Sequence, residues 1–179
     1  AFNLNTLSGL VRFVKKVLLG TLIVEGAGAL AYMTVFVPQF GARGIWISIF
    51  NSVSAFCNAG IDIISENSLC AYARDPHINI VTCLLIVLGG IGYIVWWDVV
   101  RVLGLKRRGT PLRLWKRLTL QSKLAIFMTL LLIFGGAALL LIFEGNNPLT
   151  LGGMSTGEKL QAAIFQSVTT RTAGFATVP

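Results

Sequence analysis

Charge is scarce in this chain, and negative charge scarcer still: of 179 residues only 12% are charged, 15 Lys and Arg against 7 Asp and Glu. A soluble domain carries about a quarter charged residues, so the deficit argues against water as the main solvent for its surface. There is one histidine, His77, and there are three cysteines, Cys57, Cys70 and Cys83, spread widely. No metal-ligand spacing arises from them, and an odd, dispersed set of thiols gives no disulfide framework. Neither a nucleophile with its base nor a ligand cluster is visible, which argues against covalent catalysis and leaves the chain without a cofactor of its own. A GxGxxG-like reading of Gly89, Gly90 and Gly92 fails, because no strand-to-helix turn surrounds them; close helix packing is the expected use of these glycines.

What is abundant is apolar sequence: 55% hydrophobic residues and a mean hydropathy of +0.77. A bilayer core needs about 20 mostly apolar residues in a helix, and three runs qualify, at 17–37, 78–100 and 124–143. The first has no cleavage site after it and spanning length, so it reads as a span, not a signal peptide. Arg12, Lys15 and Lys16 precede it; Arg101, Lys106, Arg107, Arg108, Arg113, Lys116, Arg117 and Lys123 crowd the link between the second and third. Short basic loops stay cytoplasmic. The first span is therefore expected to run outward, the second inward and the third outward. That placement also disfavours a nucleic-acid reading of the basic link.

Two shorter apolar stretches follow the outward spans, within residues 44–61 and 157–175. Each has about three helical turns, too few to cross, and each ends in small and hydroxyl-bearing residues around an Ala-Gly pair. This is the outline of a half-helix entering the bilayer and an extended segment leaving it. Irregular backbone at that depth survives only where protein or a water-filled path covers it, and its carbonyls can replace the hydration shell of a cation. Gly60 and Gly174 are placed to aim those carbonyls to one side. Matching Ala59-Gly60 to Ala173-Gly174 sets Ser54 opposite Val168 and Cys57 opposite Arg171, a repeat of span, short helix and Ala-Gly. One full unit fills residues 1–100, a basic link 101–123, and a second unit without its closing span 124–179; the chain thus reads as part of a longer protein. The fold class expected is an all-α membrane protein of span, pore helix, filter strand and span repeats.

Single residues carry competing readings. Glu25, inside the first span, is either a vestibule carboxylate or, preferably, a hydrogen-bonded or protonated glutamate at a helix contact. Asp62 either focuses cations at an outer mouth or caps its own loop. Arg171 is expected to turn away from any cation path and brace its loop, a carboxylate being the natural partner. Asp98, beside Trp96 and Trp97, reads as a solvated carboxylate at headgroup level, and His77 as an interface histidine. Thr169, Thr170 and Thr172 are hydroxyl donors or ordinary loop residues.

The stretches SVSAFCNAGIDI, LLIVLGGIGYIVWWDV and GNNPLTLGGMSTGEKLQAAIFQSVTTRTAGFAT together resemble the Trk/Ktr/HKT superfamily of potassium transporters, closest to the membrane subunit of the bacterial Ktr system. The resemblance covers nearly the whole chain and implies the second and most of the third of four units around one pore. It implies potassium uptake across the bacterial inner membrane, with Asn58, Ala59, Gly60, Ile61, Thr172, Ala173, Gly174 and Phe175 as filter residues. Potassium would be the transported ion and sodium, in some members, a coupling ion. It further implies a multi-pass homodimer in membrane lipid, contacting a cytosolic nucleotide-binding regulatory ring through the basic link, with no nucleic-acid partner. The alternatives are a sodium or ammonium transporter on the same scaffold and a non-conducting regulatory subunit.

Overall fold

The structure is a computed structural model that describes residues 7–64, 68–106, 114–147 and 150–177. It is helical almost throughout. Helix α1 (Leu7–Phe40) is followed by α2 (Ala42–Phe56), α3 (Pro76–Gly90), α4 (Tyr93–Lys106), the short α5 (Leu114–Arg117), α6 (Leu120–Glu144) and α7 (Thr156–Thr172), with one 3₁₀ turn at Cys70–Tyr72. Much of the basic link, including Arg107, Arg108 and Arg113, lies outside the described residues.

Residues 10–40 of α1 and all of α6 are long and apolar enough to cross a bilayer, as expected for the first and third spans. Helix α1 starts well before residue 17; its 34 residues make a rod of about 50 Å at 1.5 Å per residue, longer than the hydrocarbon core. The side chains they turn outward are the ones lipid would solvate: Leu22 is 66% exposed and Phe143 76%. Such exposure would be an aggregation hazard in water.

The expected second span, 78–100, is not one straight helix. It is α3 and α4, bent by 101° at Ile91–Gly92. The cause is local. The last regular bond of α3 is Ile91 N–H to the Val87 carbonyl at 3.0 Å, and Gly92 then takes φ 89°, a region that L side chains resist. The turn leaves the Leu88 carbonyl without the N–H that a continuing helix would bring. The indole Nε1–H of Trp96 supplies it instead, at 2.9 Å. The glycines of this segment divide their roles: a Cβ at Gly89 would overlap the Phe56 carbonyl, whereas one at Gly92 would meet open space. Packing thus explains Gly89 and backbone conformation explains Gly92.

Two helix pairs form the body, α1 with α2 and α6 with α7, and α3 packs against α1, α2 and α7. Tyr32, Phe36, Ile47, Ile78, Ile86, Phe165, Val168 and Phe175 are all buried to 1% exposure or less and belong to one cluster. Tyr32 and Thr82 join α1 to α3 by a hydroxyl–hydroxyl bond of 2.6 Å. At the other end, Lys16 places its ammonium 5.9 Å from the Trp97 ring centroid, setting the basic start of α1 beside α4. Asp98 is buried, not solvated: it pairs with Arg101 and accepts the backbone N–H and hydroxyl of Thr119 at 2.8 and 3.0 Å. Because Thr119 is also the N-cap of α6, this one carboxylate fastens the end of the bent span to the start of the next. The single histidine sits at the opposite end, its Nε2 2.9 Å from the Ala31 carbonyl and 3.2 Å from the Thr34 hydroxyl.

The pairs α1–α2 and α6–α7 are built alike. Ser52 donates to the Glu25 carbonyl at 2.7 Å, and Ser167 donates to the Ile133 carbonyl at 2.8 Å. Three residues further along each span stands a glycine, Gly28 or Gly136, where a Cβ would collide with that serine's hydroxyl. Gly135, next to it, faces open space. Replacing Gly136 by leucine should therefore separate α7 from α6 and cost about 1–3 kcal/mol by overpacking, while Gly135→Leu should be near neutral. Thermal melting of the two purified variants in detergent measures the difference; equal midpoints would contradict this packing.

Candidate functional site

Helix α2 ends at Phe56 and α7 at Thr172, and each hands over to irregular, extended backbone. Neither segment pairs as a β-strand; among the described residues there is no strand at all. The expected filter strands are extended segments held from their sides, not by a ladder.

The position of the second is fixed from the start of α7. The capping box of Ser155 and Glu158 sets where α7 begins, and the Ser155 N–H holds the Glu158 carboxyl below its ordinary range. This contribution is present at neutral pH and is lost on acidification through that lowered pKa. Lys159 donates to the Gly145 carbonyl at 2.7 Å, joining the same helix start to the end of α6.

At the far ends the two segments meet. Gly60 has φ 67° and Gly174 φ 98°, the left-handed region where a Cβ costs about 1–2 kcal/mol. They are 114 residues apart, yet a Cβ on Gly60 would overlap the carbonyl of Ala173. Beside them the Thr172 hydroxyl donates to Asn58 Oδ1 at 2.7 Å, and Asn58 itself holds φ 56°. Ala59 donates its N–H back to the Ser54 carbonyl at 2.9 Å, as Gly174 does to that of Thr169 at 3.1 Å. The exits are also tied: Leu69 N–H bonds the Ala176 carbonyl at 3.0 Å, and Ala176 N–H the Ser68 hydroxyl at 3.3 Å.

All eight residues singled out in the sequence thus lie in two adjoining segments, but not in equivalent states. Among the described residues, no N–H or hydroxyl engages the carbonyl oxygens of Asn58, Ala59, Gly60, Thr172, Ala173 or Gly174. The carbonyls of Ile61 and Phe175 are taken, by the hydroxyls of Ser54 and Thr169. The Ile61 side chain is 60% exposed, whereas that of Phe175 is buried in the core.

The hydroxyls correct the register of the repeat. Ser52 and Ser167 make the same span contact, and Ser54 and Thr169 the same bond to the residue after the glycine. Asn51-Ser52-Val53-Ser54 therefore matches Gln166-Ser167-Val168-Thr169, and Ser54 stands opposite Thr169, not Val168. From there the Ala-Gly pair comes one residue later in the first unit than in the second. The extra residue is absorbed where α2 ends early and Asn58 takes its positive φ. The Ala-Gly identity masked this; the NSVS and QSVT patterns carried the signal.

Other expectations resolve one by one. Arg171 donates to the Thr129 hydroxyl at 3.0 Å, not to a carboxylate. Its Nε and Nη2 are buried without a hydrogen-bond partner among the described residues. Space beside Gly90 lets the guanidinium fit: a Cβ there would approach Nη2 to 3.1 Å. Asp62 caps its own loop by accepting Ile64 N–H at 3.2 Å. Glu25 is partly buried at a helix contact, with Cys57 Sγ 3.9 Å from its carboxylate. Among the described residues no group of three His, Cys, Asp or Glu could hold a metal.

Two helices of spanning length, each followed by a short helix and an extended segment turned on a glycine, define an all-helical membrane protein. Residues 4–179 match the TrkH family, described as cation transport protein, and the chain belongs to that family. It is similar to the potassium/sodium uptake protein NtpJ of Enterococcus hirae, 40% identical over 176 residues. It is also similar to Ktr system potassium uptake protein B of Bacillus subtilis at 38%, and to the protein of that name from Vibrio alginolyticus at 34%. These alignments cover 98%, 98% and 93% of the chain but 36%, 37% and 35% of the relatives. The chain therefore spans just over a third of the length of the curated relatives it matches.

The two glycines should respond unequally. Gly174→Ala meets only conformational strain, for nothing lies near its Cβ, and should cost about 1 kcal/mol. Gly60→Ala adds a main-chain collision and should lower the melting midpoint clearly further. Equal midpoints for the two alanine variants would contradict the adjacency of the segments.

Proposed function

We propose that this chain forms the second and third pore units of the ion-translocating subunit of a potassium-uptake system. Residues 1–100 make the second unit, 101–123 the basic cytoplasmic link, and 124–179 the third unit up to its filter segment. Asn58, Ala59, Gly60, Thr172, Ala173 and Gly174 present two sides of a carbonyl-lined filter, flanked by Ile61 and Phe175. The observation that carries this reading is the meeting of two separate repeats beside Gly60 and Gly174, through carbonyls that no donor among the described residues engages. A dehydrated cation is what such oxygens can hold, provided that binding is weak enough for release. The names of the relatives, potassium uptake proteins in each case, support potassium as the ion. Sodium is the second reading, as coupling or transported ion, and is favoured by the printed name of one relative, a potassium/sodium uptake protein. The remaining sides of the filter come from other parts of a longer polypeptide in the bacterial inner membrane. The Ktr designation of two relatives as parts of a system supports further subunits: a homodimer, and a cytosolic nucleotide-binding ring set against the basic link.

Rubidium uptake by potassium-transport-deficient cells expressing the complete polypeptide tests this. Uptake should appear with the wild-type sequence and vanish with Gly60→Leu while the protein remains inserted. Sodium uptake without rubidium uptake would establish the sodium reading instead, and undiminished flux in Gly60→Leu would show that the segment at Gly60 does not line the ion path.

A further inference from the structure

Hydroxyls inside a helix usually bond back to their own helix, at the carbonyl four residues earlier. Ser48 does so to Gly44, Thr82 to Ile78 and Thr170 to Gln166, each at 2.7 Å. Ser54 and Thr169 do not. Ser54 donates across the turn to the Ile61 carbonyl and accepts the Ile61 N–H at 3.0 Å. Thr169 donates to the Phe175 carbonyl at 2.9 Å and accepts the Gly174 N–H at 3.1 Å. Each hydroxyl thus uses its one proton and a lone pair on the segment that leaves the half-helix. Both side chains belong to buried residues, exposed to 5% and 2%, where water is a poor substitute and a lost partner is felt in full. The two units reach this arrangement with different residues and a different number of residues before the glycine.

We propose that Ser54 and Thr169 are positioning residues that set ion selectivity by closing the row of free carbonyls at the filter glycine. The inference rests on the potassium-filter reading above. By holding the oxygens of Ile61 and Phe175, the hydroxyls withhold them from the ion and stiffen the backbone that presents the oxygens of Gly60 and Gly174. Without the hydroxyl, the next carbonyl is released. The segment then gains the freedom to close around a smaller cation. A filter whose oxygens are held at the spacing of the larger cation disfavours a smaller one, so discrimination against sodium should fall, whereas a purely structural role would change only the amount of folded protein.

The test uses the complete polypeptide in potassium-transport-deficient cells, comparing Ser54→Ala and Thr169→Val with the hydroxyl-keeping Ser54→Thr and Thr169→Ser. Rubidium and sodium uptake are read per inserted molecule. The preference for rubidium over sodium should drop about tenfold in the first pair, the scale of one lost hydrogen bond, and stay near wild type in the second. Unchanged preference in Ser54→Ala and Thr169→Val would overturn the inference, as would equal losses in all four variants. Failure of both hydroxyl-free variants to insert would also overturn it, by assigning the residues a folding role. Absence of rubidium uptake by the wild-type polypeptide would instead overturn the function on which the inference rests.

Discussion

A backbone carbonyl inside a bilayer has no water to turn to, and everything distinctive in this chain follows from how such groups are dealt with. Helices α1 and α6 satisfy theirs internally and can face lipid. The segments after α2 and α7 cannot, so they must be enclosed by protein or face a wet path. They are gripped instead at chosen points: N–H groups folded back to Ser54 and Thr169, two hydroxyls on the carbonyls beyond the glycines, and a side-chain bond between Thr172 and Asn58. What is left ungripped among the described residues, on both segments, is a short run of oxygens around Gly60 and Gly174.

The surrounding structure serves that placement. Serines at 52 and 167 seat the half-helices against Gly28 and Gly136 of the spans, so each half-helix is held at a fixed depth by a hydrogen bond to span backbone. Helix α3 lies against both half-helices, and Gly89 lets it approach the Phe56 carbonyl at the end of α2. The bend that follows is closed by Trp96, whose ring also stands edge-on to Phe56 at 5.7 Å. Asp98 then links the same helix to the start of α6. The segment after α2 is therefore joined to the start of α6 through a short series of specific contacts.

Much of this was legible in the sequence because long apolar runs, biased charge and short amphipathic remainders are signals of scale. They revealed two spans, two half-helices and the glycines at 60 and 174. The bend in the second span was not legible: three glycines within four residues fit close packing as well as a turn, and only Gly92 has a positive φ. Repeat register was misread by one residue because the Ala-Gly identity is conspicuous, while the hydroxyls that define equivalence are interchangeable as Ser and Thr. For Arg171 the expected partner was wrong, since a threonine on the neighbouring span, distant in sequence, stands where a carboxylate was expected. Asp98 looked solvated because its position at a helix end said nothing of Thr119, which the link brings back to it.

The central claim is that the free oxygens beside Gly60 and Gly174 face one ion path. Anomalous diffraction from crystals of the complete protein grown with thallium, a potassium surrogate, tests it most directly. A peak should lie between the two segments, within coordination distance of carbonyls from both. Thallium bound only elsewhere, or segments found apart and filled by side chains, would contradict the account.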